Sequence, residues 1–561
     1  MLVATGTNLR SGGQILVDQL RIHGADMAFG VPGESYLAVL DALHDAPEVR
    51  FLVCRQEGGA AMMADAYGKL TGRPGLCFVT RGPGATSASA GVHIAFQDST
   101  PMILFIGQVA RGQQDREAFQ EIDYRRMYGQ LAKWVAQIDD PARIPEYVSR
   151  AFHTATAGRP GPVVLALPED MLTERVATED AASYQAVATH PGPEQMAALH
   201  ERLRRAERPF VILGGGGWSA TACADIQAFA EANDLPVGAA FRCQDYFDNR
   251  HPNYVGDVGI GLNPKLGRRI QESDLLLVVG ARLGEMTTGG YSLIDIPRPK
   301  QSLIHVHAGA EELGRVYQPE QAINAAMPAF AAAARSLAPI ADPAWAEWTR
   351  AARADYEENI QPTGGPGPVQ MAEIVAWLRE RLPPEAIVAN GAGNYTAWVH
   401  RFHQYRRYRT QLAPTSGSMG YGLPAAVAAK AVRRDDPVIC FAGDGCFLMH
   451  GQELATAVQY GLGIIVIVVN NGMYGTIRMH QEREYPGRVS GTGLTNPDFV
   501  AYARAFGAEG ELVERTEDFA AAFERAVAAG KPALIELRID PEAITPRSSL
   551  SEIRAAALAK G

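Results

Sequence analysis

Short apolar runs rich in Val, Ile and Leu recur along the chain and alternate with longer stretches that carry helical spacing. In the first block MAFGVPG, VRFLVCR, GLCFVTRGPG, MILFIGQ and GPVVLALPEDM read as buried strands. QILVDQLRIHGA and AVLDALHD read as helices between them. Strands alternating with helical patterns predict a parallel sheet. This block runs over 10–178, and a Thr-, Ala- and Pro-containing stretch over 176–193 reads as a linker. A second block, 194–340, repeats the rhythm with PFVILGGGG, IQAFAEANDLP, LLLVVGARLG and SLIHVHAG. Gly364-Gly365-Pro366-Gly367-Pro368 marks the next boundary. The third block, 369–545, opens with a helix over 369–381 and continues as AIVANGAGN, ICFAGDG, IIVIVVNN and ALIELRI. A helix-like tail occupies 546–561. The fold expected is α/β, with three Rossmann-like, doubly wound domains built on parallel sheets.

Composition narrows the class. The 561 residues are 47% hydrophobic and 20% charged, as in ordinary globular proteins. The net charge of −10 and the lack of a long Lys/Arg run argue against nucleic-acid binding. The most basic segment, RFHQYRRYR at 401–409, reads as a solvated or interface surface. None of the six cysteines forms a CxxC pair, so buried, reduced thiols are expected. MLVATGTNLRSGG has no apolar signal core. No apolar run approaches the ~20 residues of a membrane helix. These features predict a cytoplasmic enzyme that touches neither membrane nor nucleic acid.

The sharpest chemical signal is Asp444 in Gly443-Asp444-Gly445, followed by a helical stretch, an apolar strand and Asn470-Asn471. This order places Asp444 and Asn471 at the carboxyl ends of two parallel strands, where ligands bind in open α/β sheets. A carboxylate and an amide oxygen are hard ligands suited to an octahedral Mg2+ that keeps phosphate oxygens in its shell. The glycines permit close backbone approach to a phosphate. Read alone, GDG is a turn signal. With Asn470-Asn471 at this distance, the pattern resembles the diphosphate-anchoring motif of thiamine-diphosphate enzymes. The resemblance implies that Asp444, Asn471 and the backbone carbonyl of Met473 hold the metal, with Gly443, Gly445, Cys446 and Asn471 against the cofactor. Gly391-Ala392-Gly393-Asn394-Tyr395 is similar to the family's second diphosphate contact, which would involve Gly391, Asn394 and Tyr395.

A second stretch supports the same family. RQEGGAAMMADAYGKLTGRPGLCFVTRGPGATS resembles the pyrimidine-binding domain of these enzymes. The resemblance makes Glu57 the carboxylate that hydrogen-bonds N1′ of the aminopyrimidine. A carboxylate there favours the imino tautomer, whose 4′-nitrogen removes the poorly acidic thiazolium proton. Met419, in Thr415-Ser416-Gly417-Ser418-Met419-Gly420, matches the bulky wedge that bends the cofactor, with backbone groups of Gly417 and Met419 meeting the pyrimidine. The three blocks would then be pyrimidine-binding, central and diphosphate-binding domains.

Finer matches point within the family. Gly107-Gln108-Val109, Ala118-Phe119-Gln120-Glu121 and Lys133-Trp134 resemble acetohydroxyacid (acetolactate) synthase catalytic subunits, in which the matching Phe, Gln and Lys line the substrate channel. His480 stands where those synthases carry a tryptophan that selects the second keto acid. Gly280-Ala281-Arg282 is shared with their FAD-binding domain, but Leu283-Gly284-Glu285-Met286 departs from it. The glycine run 214–217 is open to two readings, a diphosphate site or a tight turn, so FAD is left open. Gln113-Gln114 replaces the paired histidines of simple pyruvate decarboxylases. The expectation is thiamine-diphosphate- and Mg2+-dependent decarboxylation of a 2-keto acid and ligation to an aldehyde or ketone acceptor. Gln120 and His480 would sit in the substrate pocket. An aromatic aldehyde lyase or benzoylformate-type decarboxylase is the alternative, ahead of an FAD-dependent pyruvate oxidase or a non-catalytic paralogue. The family's site is shared between subunits, which implies a homodimer or homotetramer.

Overall fold

The computed structural model describes residues 9–559. The chain divides into two compact units, residues 1–187 and 188–561. The first holds one six-stranded parallel sheet and the second holds two. Both faces of each sheet are covered by helices, and this double burial is why the strands read as unbroken apolar runs.

In the first unit the strands lie in the order Arg50–Val53, Met27–Gly30, Gly75–Val79, Met102–Gln108, Pro162–Pro168, Trp134–Gln137. Helices Gly12–Ile22, Leu37–His44 and Ile144–Thr156 bury one face through Leu16, Val39, Val148 and Phe152. Helices Glu57–Thr71 and Pro83–Asp98 pack against each other. A Cβ on Gly91 would stand 2.4 Å from the Cβ of Ala61, so this contact needs small residues on both helices. The Gly- and Ala-rich sequence after Glu57 is therefore a packing surface. Gln56 caps the helix by accepting from the Gly59 amide, and left-handed Gly72 (φ 75°) ends it.

The second unit contains a central sheet ordered Tyr254–Val258, Val237–Ala240, Pro209–Leu213, Leu275–Val279, Ser302–His307, Gln321–Asn324. Its glycine run is a tight turn. Gly215 is left-handed (φ 74°), and a Cβ there would stand 1.9 Å from the Gly280 carbonyl oxygen. Trp218 Nε1 donates to the Gly214 carbonyl at 2.8 Å, and the Tyr246 hydroxyl donates to the Gly215 carbonyl at 2.6 Å. Close crossing of two strand ends thus accounts for Gly214 and Gly215.

The last sheet runs Gln411–Leu412, Ile387–Asn390, Val438–Gly443, Ile465–Asn470, Ala533–Arg538, Glu509–Val513. Helices Met371–Arg381 and Phe519–Ala528 cover one face. The alanine-rich helix Gly422–Val432 packs on the strands Val438–Gly443 and Ile387–Asn390. The tail forms helix Leu550–Leu558. All six cysteines are buried free thiols. Among the described residues, no helix is long and apolar enough to cross a membrane.

Gly215→Ala adds both a steric clash and a left-handed strain. It should lower the stability of the second unit by about 2 kcal/mol or more, read as a lower urea midpoint. Gly284→Ala, with no atom within 4 Å of the added methyl, should leave the midpoint in place.

Candidate active site

The two strands Val438–Gly443 and Ile465–Asn470 are hydrogen-bonded neighbours, with Gly443 opposite Val469. Asp444 and Asn471 leave these strands at the same edge of the sheet, as the motif spacing predicts. The Asp444 side chain accepts from the Gly445 amide at 2.9 Å on one oxygen, and from the Gly472 amide at 2.9 Å and Asn496 Nδ2 at 2.8 Å on the other. Asp444 is 3% exposed, and burial pushes its pKa above the usual carboxylate value. No lysine or arginine of the described residues pairs with it. A buried carboxylate without a cation is unfavourable unless it is neutralised or ligates a metal. Asn471 follows the neighbouring strand directly, and its Oδ1 accepts from the Met473 amide at 3.3 Å. Together with the Met473 carbonyl, these groups fit a hard, oxygen-seeking cation. Among the described residues there is no cluster of three or more His, Cys, Asp or Glu suited to a metal. A site built from one carboxylate, one amide and one carbonyl escapes that pattern.

The neighbouring loops are closely packed. A Cβ on Gly391 would meet Cys446 Sγ at 2.6 Å, and one on Gly445 would meet the Tyr474 ring at 2.6 Å. A Cβ on Gly443 would stand 3.2 Å from the Tyr395 ring. These glycines let side chains fold over the strand ends. The Tyr395 hydroxyl accepts from the Gly391 amide at 3.1 Å and lies 3.5 Å from Cys446 Sγ, which accepts from the Gly420 amide at 3.2 Å. Asn394 donates to the Ile544 carbonyl at 3.0 Å and accepts from the Thr476 hydroxyl at 2.8 Å. Gly417 is left-handed (φ 67°), with open space where a Cβ would project, and its amide closes a turn on the Pro414 carbonyl. Met419 is partly buried against the core of this sheet.

In the first unit Glu57 opens its helix with the carboxylate beside the start of helix Pro83–Asp98. A Cβ on Gly84 would lie 3.3 Å from Glu57 Oε1. Gln120 is left-handed (φ 66°), as are Asp115 (φ 60°) and Glu117 (φ 53°). Such backbone persists only where its surroundings over-determine it. Glu121 accepts from the amides of Asp115 and Ala118, Arg81 Nε donates to the Phe119 carbonyl at 3.1 Å, and a Cβ on Gly82 would stand 2.7 Å from that of Gln120. The loop so fixed presents Phe119, 72% exposed. Lys133 donates to the carbonyls of Thr154 and Ala157, so its charge meets the carboxyl end of helix Ile144–Thr156.

Family comparison matches residues 10–127 to the N-terminal TPP binding domain of thiamine pyrophosphate enzymes, 196–334 to their central domain, and 391–537 to their C-terminal TPP binding domain. Over 546 residues the chain is 33% identical to an acetolactate synthase large subunit of Parasynechococcus marenigrum, covering 94% of this chain and 87% of that protein. The Corynebacterium glutamicum large subunit is 32% identical, over 92% and 84% of the two chains. The isozyme 2 large subunit of Escherichia coli is 30% identical, over 94% and 96%. The chain belongs to the thiamine pyrophosphate enzymes.

As a member of this family it depends on thiamine diphosphate; Glu57 and Gln120 lie in the matched N-terminal domain, and Asp444, Asn471 and Met419 in the matched C-terminal domain. His480 is exposed on helix Gly475–Glu484. Glu482 anchors that helix. It is fully buried and accepts from Arg478 at 2.7 Å, from Arg554 at 2.6 and 2.7 Å, and from the Gly487 amide at 2.8 Å. Arg554 belongs to the tail helix Leu550–Leu558, so the tail staples the helix that carries His480. Three partners were not foreseen from the sequence. Asn496 sits in an Asn-Pro pair that reads as a turn. Asn470 reads as part of the metal motif, yet it donates to Glu536 at 2.8 Å. The Arg478/Glu482 spacing of four gave a local signal, but Arg554 is distant in sequence.

Hydrogen bonding from Arg554 leads the effects that hold Glu482 down to a pKa of about 2. A depressed carboxylate pKa contributes stability above the unfolded value near 4.5, and that stability fades as pH falls toward about 2. Glu482→Gln should therefore lower stability by about 3 kcal/mol at pH 7. Thermal melts of the two proteins should converge between pH 5 and pH 2.

Proposed function

We propose that this protein is the catalytic subunit of an acetolactate-synthase-type carboligase. A 2-keto acid such as pyruvate loses CO₂, and the remaining acyl unit is joined to the carbonyl of a second keto acid or an aldehyde. The observation that carries this reading is the buried Asp444 carboxylate, without a cationic partner, beside Asn471 at adjacent strand ends. It lies in the region matched by the C-terminal TPP binding domain.

Asp444, Asn471 and the Met473 carbonyl would hold Mg2+, which grips the cofactor's diphosphate. Gly391, Asn394, Tyr395, Gly443, Gly445 and Cys446 shape the cradle around it. Thiamine diphosphate, when bound, supplies the nucleophilic thiazolium carbon and the electron sink for decarboxylation. Glu57 holds a proton at N1′ of the aminopyrimidine and so sets its tautomer. Met419 supplies the apolar wedge, and Gly417 the backbone turn next to the pyrimidine. Gln120 and Phe119, on the braced loop, and His480 face the substrates. The domain limits 10–178, 194–340 and 369–545, a cytoplasmic location and a homodimer or homotetramer that completes the site belong to the same proposal.

Purified protein supplied with pyruvate, thiamine diphosphate and Mg2+ should release CO₂ and form acetolactate; no CO₂ release overturns the proposal. Glu57→Gln should lower kcat by ~10²–10⁴-fold while calorimetry still detects cofactor uptake. His480→Trp replaces a small polar ring with a large apolar one. In competition between pyruvate and 2-ketobutyrate it should change the product ratio by about tenfold or more, since one methylene is worth about 1–3 kcal/mol in a pocket.

A further inference from the structure

Asn496 stands outside every cofactor and substrate role assigned above, yet its side chain reaches the metal carboxylate. Its Nδ2 donates to Asp444 Oδ2 at 2.8 Å and to Asn470 Oδ1 at 2.9 Å. Both amide hydrogens face acceptors, so a flipped amide would set oxygen against oxygen and the orientation is fixed. The Gly472 amide bridges the same two atoms, at 2.9 Å to Asp444 and 3.1 Å to Asn470. Asn470 is held in turn by donating to Glu536 at 2.8 Å. The side-chain oxygen of Asn496, Oδ1, is buried without a hydrogen-bond partner. Leaving a buried acceptor unpaired is unfavourable for folding, so the residue answers to another constraint.

We propose that Asn496 is a positioning residue for the metal: it sets the plane of the Asp444 carboxyl group so that the site is shaped before the ion arrives. The inference rests on Asp444 being a metal ligand, as proposed above. Gly445 follows Asp444 directly in the chain, and Gly472 belongs to the metal loop itself. Asn496 is the donor to Asp444 that comes from a separate segment. Outer partners of metal ligands typically change metal affinity 10–100-fold when removed.

Uptake of thiamine diphosphate by the apoprotein, followed by calorimetry across a Mg2+ titration, tests this. Asn496→Ala and Asn496→Gln should each raise the half-saturating Mg2+ concentration 10–100-fold. The apoprotein should melt no earlier than wild type, and kcat at saturating Mg2+ should stay within a few-fold. Asp498→Ala is the control. Asp498 caps helix Phe499–Ala505 by accepting from the Ala501 amide at 2.9 Å, in the same segment but without touching Asp444. It should lower the melting temperature and leave the Mg2+ dependence unchanged. A Mg2+ dependence within twofold of wild type in both Asn496 variants overturns the inference. So does an Asp498→Ala shift as large as theirs, because that would make segment order the cause. If the wild-type protein takes up no cofactor, the functional reading itself fails and this inference falls with it.

Discussion

The pairing of strand Val438–Gly443 with strand Ile465–Asn470 is the constraint on which the rest depends. Parallel neighbours bring their carboxyl ends out at one edge, so residues 27 positions apart in sequence leave the sheet side by side. The register Gly443 to Val469 is fixed by backbone hydrogen bonds and by apolar side chains buried on both faces. Slipping it would turn every one of those side chains the wrong way. The chemistry is therefore anchored in the stiffest part of the domain. Around it lie the turn after Asn471, the Gly391–Tyr395 bend and helix Gly475–Glu484.

Much of this was legible in the sequence because its determinants are local. Doubly covered strands must be apolar throughout, and these runs stand out. Asp444 and Asn471 are readable because a strand end imposes both neighbours and spacing. Glu57 stands out because the stretch around it resembles the family's pyrimidine-binding domain, and the small residues of that stretch pack on helix Pro83–Asp98. The tight turn at Gly215 was one of two readings of the same glycines. The close approach of the Gly280 carbonyl, together with Trp218 and Tyr246, accounts for Gly214 and Gly215 as packing and says nothing of a diphosphate.

The remainder depended on long-range contacts that no pattern encodes. Asn496 and Arg554 lie 52 and 72 residues beyond the side chains they hold, Asp444 and Glu482. Nothing at either end of such a pair reveals the other. Lys133 shows the converse. Its place in a recognisable motif suggests a channel, while its ammonium group bonds to the end of a nearby helix. A motif carries the position of a side chain more faithfully than its direction.

The backbone at Gln120 has a bearing on redesign of the substrate pocket proposed for it. A left-handed residue wedged against Gly82 tolerates few replacements, and β-branched side chains fit it worst. A randomised library at that codon would sample distorted loops as much as altered chemistry. Codon 480, on the outer surface of a stapled helix with ordinary helical backbone, changes the side chain alone, so under the proposed substrate role of His480 it is the cleaner position to diversify.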